Sequence, residues 1–292
     1  MSTLASQPDF FAVIRQYPPE LAWPLLMDAN RYDWQQSPEE AQQLAALAAQ
    51  HFPADVAARS RWVQYLQSRM LDPIMFLLWQ DEWRVYEQHV TVAGHAVLDR
   101  VRREYGRMVA VSPHWDAYLA LPGCLLQDGW RVNCQTEPQV AEWWGHLLRQ
   151  YLSRHLNLEF VPMAQQGGVV DRLAAAVAAG WTVYITPDYN LGQSAPEAPM
   201  VPFVGGQLPA TTGPARIALE GQVPLIGMTL QRTGPLAYTW DVAEPLYWPG
   251  GDTPAVWDLT EQVYRYLERQ VASDPARWWG WVHRREGEGP AS

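Results

Sequence analysis

A histidine able to move a proton stands in the run Val111-Ser112-Pro113-His114-Trp115-Asp116. The residues leading into it, Met108-Val109-Ala110-Val111-Ser112, read as a buried strand, and a short helix is expected from about Ala117. His114 therefore falls just past the carboxyl end of a strand, where ligands gather in open α/β sheets. Its imidazole titrates near working pH, so it can take a proton from a hydroxyl or an amine. A carboxylate beside it, of which Asp116 is the nearest in sequence, can fix its tautomer and stabilise the imidazolium. The same residues admit a plainer reading, in which Asp116 caps the next helix and His114 bonds a loop carbonyl. His-x-Asp is also half of a metal site, but no neighbouring Cys/His cluster completes it, and no metal is expected.

Two further runs carry chemistry. In Ile185-Thr186-Pro187-Asp188 a strand delivers Asp188 to the sheet edge. The chain then returns through Val201-Pro202-Phe203-Val204-Gly205-Gly206 to Thr211-Thr212-Gly213-Pro214-Ala215-Arg216. The Thr211 and Thr212 hydroxyls, the N–H groups of a helix start and Arg216 would suit a phosphate or a developing oxyanion. The plainer reading makes Thr212 an ordinary N-cap on a Gly-rich turn. The last run is Asp274-Pro275-Ala276-Arg277-Trp278-Trp279-Gly280-Trp281-Val282-His283-Arg284-Arg285. Its tryptophans and arginines would either line an amphipathic groove or lipid interface, or pack on the sheet with the arginines in water.

The elements that must position these residues follow from periodicity. Up to about residue 90 the chain reads as helical, with Ser37-Pro38-Glu39-Glu40 as a capping box. After Gly94, β-branched runs alternate with amphipathic stretches, the pattern of an α/β sheet. Strands are expected over Trp130–Cys134, Glu159–Val161, Trp181–Thr186 and Val223–Met228, with Ala237–Val242 as an edge strand. Helices are expected over Gln139–Leu156, Val169–Ala179, Gly213–Leu219 and Pro254–Ala272. A Pro- and Gly-rich loop fills the stretch from Asp188 to about Ala210. The expected fold is α/β: a mixed, mostly parallel central sheet flanked by helices, with a helical N-terminal region. The expected division is residues 1–93, 94–285 and a polar tail at 286–292.

Composition narrows the chemistry. The 292 residues carry a formal charge of −10, a poor match to a sequence-independent nucleic-acid binder. All 21 basic residues are Arg, which removes Schiff-base and P-loop lysine chemistry. Cys124 and Cys134 sit in apolar runs and read as buried free thiols. No stretch approaches the ~20 apolar residues of a spanning helix, and the expectation is a soluble or peripheral protein of the cytoplasm, at most touching the inner face of the membrane. The 16 Trp, a high number, leave core filling, a ligand groove and an interface belt all open.

In this order, the three runs resemble the lysophospholipid acyltransferase-like superfamily, nearest its bacterial lipid A late acyltransferases. The resemblance spans about Gly94 to Arg285 and includes the Gly180 to Asp188 stretch, the Val-Pro-Phe-x-Gly loop and Val223-Pro224. The family places a general-base His, then four residues, then an Asp or Glu that orients it. Matched without gaps, His114 falls on that His, Tyr118 on the usual aromatic and Leu119 on the acid. Asp116 is the nearest replacement and Asp188 another candidate, provided the two strand ends adjoin. A shifted register, matching Trp115-Asp116 to a Trp-Glu pair, would put Val111 on the base.

The resemblance implies acyl transfer from a thioester, on acyl carrier protein or coenzyme A, to a hydroxyl or amine acceptor. It implies no cofactor beyond that donor. Arg149, Arg154 or Arg216 would hold a phosphate, with Trp115 beside the substrate. Because the chain opens without the hydrophobic helix usual in lipid A enzymes, a small-molecule or carrier-bound acceptor is expected, with peripheral membrane contact as a further partner. Arg277, Arg284 and Arg285, or Arg100, Arg102, Arg103 and Arg107, would supply the local positive patch that an acidic chain needs for such partners. Two competing activities follow from the missing acid and from water as acceptor: a non-catalytic acyl or carrier binder, and a thioesterase.

Overall fold

The short β-branched runs form the strands of one sheet, and the amphipathic stretches cover it. The computed structural model describes residues 13–78, 88–136, 142, 157–162, 168–188 and 198–283. In chain order the strands are β1 Val90–Ala93, β2 Val109–Val111, β3 Val132–Thr136, β4 Leu158–Pro162, β5 Thr182–Ile185, β6 Met200–Phe203, β7 Gly206–Pro209, β8 Leu225–Gly234 and β9 Ala237–Val242. The sheet order is β1-β9-β8-β2-β5-β3-β4, and β6 and β7 form a separate hairpin. Neighbours in the large sheet are parallel except β8 and β9. The mixed, mostly parallel α/β sheet expected from the sequence is the fold.

Four helices open the chain: α1 Pro19–Gln35, α2 Pro38–His51, α3 Val56–Ser68 and α4 Leu71–Leu78. Those flanking the sheet are α5 His95–Glu104, α6 Leu121–Gln127, α7 Val169–Ala178, α8 Gly213–Gly221 and α9 Val256–Ser273. Two short 3₁₀ turns, Pro275–Arg277 and Trp279–His283, close the described chain. Alternate residues of β2 face opposite cores, as a period of two demands. Ala110 packs with α5 and α6 side chains such as Leu98 and Leu125. Val109 and Val111 pack on the other face with Leu173, Ile217 and Leu267 of α7, α8 and α9. Trp62 of α3 and Trp278 and Trp281 of the closing segment belong to that second core.

Several expectations change. Ala237–Val242 is a strand but not an edge, because β1 pairs along its outer side, Val90 opposite Tyr238. β1 itself lies in the stretch read as helical and before the expected boundary at 93/94. The loop before Ala210 contains the β6–β7 hairpin, with Phe203 opposite Gly206. Ser37 makes no side-chain cap bond; the cap that does form is Asp55, which accepts from the Ala58 N–H at 2.8 Å. The helix expected over Gln139–Leu156 lies outside the described residues, apart from Glu142. Cys124 and Cys134 are free and buried.

Candidate active site

β2 and β5 run side by side in register, Val111 opposite Ile185. Three residues beyond each of these, His114 and Asp188 meet at the carboxyl edge of the sheet. Asp188 accepts from three N–H groups. His114 Nδ1 lies 2.7 Å from Oδ1, the His114 backbone N–H is 2.8 Å from Oδ2, and Trp278 Nε1 is 2.7 Å from Oδ2. The Asp188 side chain is fully buried, whereas that of His114 keeps 12% of its surface exposed. A carboxylate accepting at Nδ1 puts the ring proton there and leaves Nε2 as the basic nitrogen. Nε2 in turn lies 3.1 Å from the hydroxyl of half-buried Thr186.

Aromatic walls hold the ring. Tyr118 meets it edge-on at 4.8 Å between centroids, and Trp279 lies tilted against it at 5.3 Å. The closing segment is strapped over the base loop by backbone bonds, from the Trp279 N–H to the His114 carbonyl and from the Asp116 N–H to the Arg277 carbonyl, each 2.9 Å. Gly280 makes the strap possible: a Cβ there would sit 2.2 Å from the Trp278 indole. Trp278 and Trp281 are thus core side chains, not a lipid-facing belt. The Arg69 guanidinium, from the end of α3, stacks over Trp279 at 5.1 Å.

Asp116 is turned elsewhere. Its backbone is left-handed, φ 50°, and its carboxylate accepts from the Arg277 guanidinium and from the Arg232 N–H at 3.1 Å. Burial pushes its pKa up to about 6 against the opposing pull of Arg277. Arg232 also pairs with Asp72 at 3.3 Å and donates to Ser68 Oγ at 2.9 Å. The Tyr238 hydroxyl donates to Asp72 at 2.8 Å, whose pKa burial also raises, opposed by Arg232 and by that bond. This buried network ties α3 and α4 to β8, β9 and the closing segment. The carboxylate that holds the His114 ring is therefore Asp188, 74 residues away in sequence, and not Asp116.

The other candidates are placed as follows. Trp115 is buried and its indole donates to the Asp274 carbonyl at 2.9 Å, so it anchors the strap. The Thr211 N–H is spent on the Tyr264 hydroxyl at 2.9 Å, which itself donates to the Pro187 carbonyl at 2.8 Å. That relay brings the start of α8 to the end of β5. Thr212 precedes α8 without a side-chain cap bond. Arg216 is exposed and pairs with Glu220 at 3.3 Å. Arg149 and Arg154 lie outside the described residues, as do Arg284 and Arg285. Arg277 is committed to Asp116 and Asp274, and Arg102 to Asp99 and Asp128. Among the described residues no group of His, Cys, Asp and Glu is arranged to hold a metal ion, and no helix is long and apolar enough to cross a membrane. Sequence reasoning gave no role to Thr186 or to the Trp278 indole; for Thr186, the available signal was its place two residues before Asp188 at a strand end.

A His–Asp pair raised on adjacent parallel strand ends, with a hydroxyl at the second ring nitrogen, has the arrangement that general-base chemistry on an α/β sheet requires. The family model for bacterial lipid A biosynthesis acyltransferases matches residues 61–285. The chain belongs to that family. Its match begins inside α3 and runs through the whole sheet and the closing strap. Comparison with individual curated proteins gives no match.

Proposed function

We propose that the protein transfers a fatty acyl group from an acyl thioester, on acyl carrier protein or coenzyme A, to a hydroxyl or amine acceptor, with His114 as general base and Asp188 as the group that orients it. The observation carrying this reading is the 2.7 Å contact between Asp188 Oδ1 and His114 Nδ1 at the edge of the sheet, with Nε2 facing a hydroxyl. Nε2 takes the proton of the acceptor as its oxygen or nitrogen attacks the thioester carbonyl. Asp188 holds the tautomer that makes this possible and stabilises the imidazolium that results. The tetrahedral oxyanion is met by donors at the start of α8, where the Thr212 hydroxyl is uncapped and the Thr211 N–H is already spent. Arg149, Arg154 and Arg216 are the candidates for holding a donor or acceptor phosphate. Tyr17, Leu21, Leu25 and Tyr32 expose apolar surface on or beside α1 and suit peripheral membrane contact.

The missing acid at Leu119 favoured a non-catalytic binder; an intact pair with Asp188 favours an enzyme. The test is acyl transfer from a panel of acyl thioesters to hydroxyl and amine acceptors, with wild type and His114→Ala side by side. The proposal expects transfer by wild type and its loss in the variant. Equal rates would refute His114 as the base, and free fatty acid as the sole product would make the enzyme a thioesterase.

A further inference from the structure

We propose that Thr186 guards the base: its hydroxyl holds the acceptor's place on His114 Nε2, so that a bound acceptor reaches the base and free water does not. The inference rests on the direct acyl transfer proposed above and names what sets transfer against hydrolysis. Thr186 Oγ1 lies 3.1 Å from His114 Nε2, and His114 Nδ1 lies 2.7 Å from Asp188 Oδ1. With Nδ1 donating to Asp188, Nε2 offers a lone pair, and the Thr186 hydroxyl donates to it. That lone pair is where the proton of the acceptor must go. Base and acceptor therefore meet only when the Thr186 hydroxyl turns away.

The ring does not need Thr186 to stay in place. Asp188 grips His114 through ring and backbone, and Tyr118 and Trp279 pack the ring. Thr186 is half-buried just past the end of β5. A turn about its Cα–Cβ bond to another staggered position takes the hydroxyl off Nε2. Ser112, the other hydroxyl of the base loop, is fully buried and donates to the Pro113 carbonyl at 3.1 Å, so it cannot serve. Selection follows from what each nucleophile brings. Displacing Thr186 exchanges one hydrogen bond to Nε2 for another and leaves the threonine hydroxyl without its partner. An acceptor molecule offsets that loss through contacts along the rest of its length. A water molecule has no such contacts, so the loss falls on its attack in full.

Both outcomes balance with the thioester and one nucleophile. In transfer, the acceptor oxygen or nitrogen attacks the thioester carbonyl as Nε2 takes its proton. The C–S bond breaks, and the leaving thiolate takes that proton from Nε2. In hydrolysis, water takes the acceptor's part, and the products are the free fatty acid and the thiol. Thr186 forms no bond to the acyl group in either case and acts through the base.

The experiment uses the full chain and octanoyl-coenzyme A. Free octanoate and thiol are measured without acceptor, and octanoyl product with the best acceptor of the panel above. Thr186→Ala, which removes the hydroxyl, should hydrolyse the thioester at least about fivefold faster than wild type, the weight of one hydrogen bond. Its ratio of transfer to hydrolysis should fall by at least as much. Thr186→Ser keeps the donor and should restore the wild-type ratio. Adding His114→Ala to Thr186→Ala should abolish the gained hydrolysis, with circular dichroism reporting the fold of each variant. Unchanged hydrolysis in folded Thr186→Ala overturns the guard. An equal gain in Thr186→Ser also overturns it, by tracing the effect to lost bulk, as does a gain that persists without His114. If Thr186→Ala does not fold, wild type decides. Hydrolysis without acceptor as fast as transfer with one overturns the guard, and hydrolysis at least about a hundredfold slower supports it. Absence of any transfer by wild type would strike the acyltransferase reading itself, a result distinct from transfer with an unchanged ratio.

Discussion

Asp188 and Asp116 are both buried aspartates within a few residues of one histidine in space or sequence, yet their surroundings assign them different work. Asp188 meets three N–H groups, two of them from His114, and the side chain it grips keeps 12% of its surface exposed. Asp116 meets a guanidinium and a backbone N–H, and its network continues inward through Arg232 to Asp72 and Tyr238. A carboxylate beside an imidazole that reaches solvent can steer protons. One sealed against arginines holds helices to a sheet. Proximity in sequence to the base thus says less than which strand end the carboxylate rides on.

Four substitutions separate these roles, and the largest effect is expected at the base. His114→Ala should cut acyl transfer by about 10⁴-fold, the upper range for a lost general base, while the chain remains folded by circular dichroism. Asp188→Asn should cost about 10³-fold in steady-state rate, because an amide can donate to Nδ1 and favour the wrong tautomer. Arg277→Met should act on the other side of the comparison. It leaves Asp116 buried without its guanidinium and should lower stability by about 3 kcal/mol in urea unfolding, while the surviving folded enzyme keeps most of its rate.

The smallest effect concerns pH. Asp116 has a folded pKa of about 6 against an ordinary 3.8, so the folded chain holds this proton more tightly than the unfolded one. Its contribution to stability is therefore complete below about pH 4, declines as pH rises to about 6, and is flat above that. Asp72, also raised by burial, acts with the same sign. Asp116→Asn should flatten the pH dependence of urea midpoints across that window without abolishing it. An unchanged slope would mean that the carboxylate is ionised in the fold at acid pH.

Much of the sheet was legible because its central strands are buried on both faces and read as short runs rich in β-branched residues, as in Val109–Val111 and Thr182–Ile185. β1 was not, because four residues, Val-Thr-Val-Ala, with only Val90 buried leave no periodic signal. The rank of β9 in the sheet depended on that missed neighbour. The β6–β7 hairpin hid behind Pro202 and Pro209, which read as loop residues. At the site, His114 was legible from its place after a strand. Its partner was legible only as a second candidate, since spacing along the chain favours Asp116, whereas Asp188 depended on adjacency of β2 and β5, a property of the whole sheet. The left-handed backbone that turns Asp116 away from the ring is equally invisible in a one-dimensional reading.

The central claim is that His114 works with Asp188 and not with Asp116. The direct measurement compares acyl transfer from one acyl thioester by wild type, Asp188→Asn and Asp116→Asn at a single pH where all three are folded. The account predicts a loss of about 10³-fold for Asp188→Asn and a rate within about tenfold of wild type for Asp116→Asn. A rate that collapses in Asp116→Asn and survives in Asp188→Asn would contradict it.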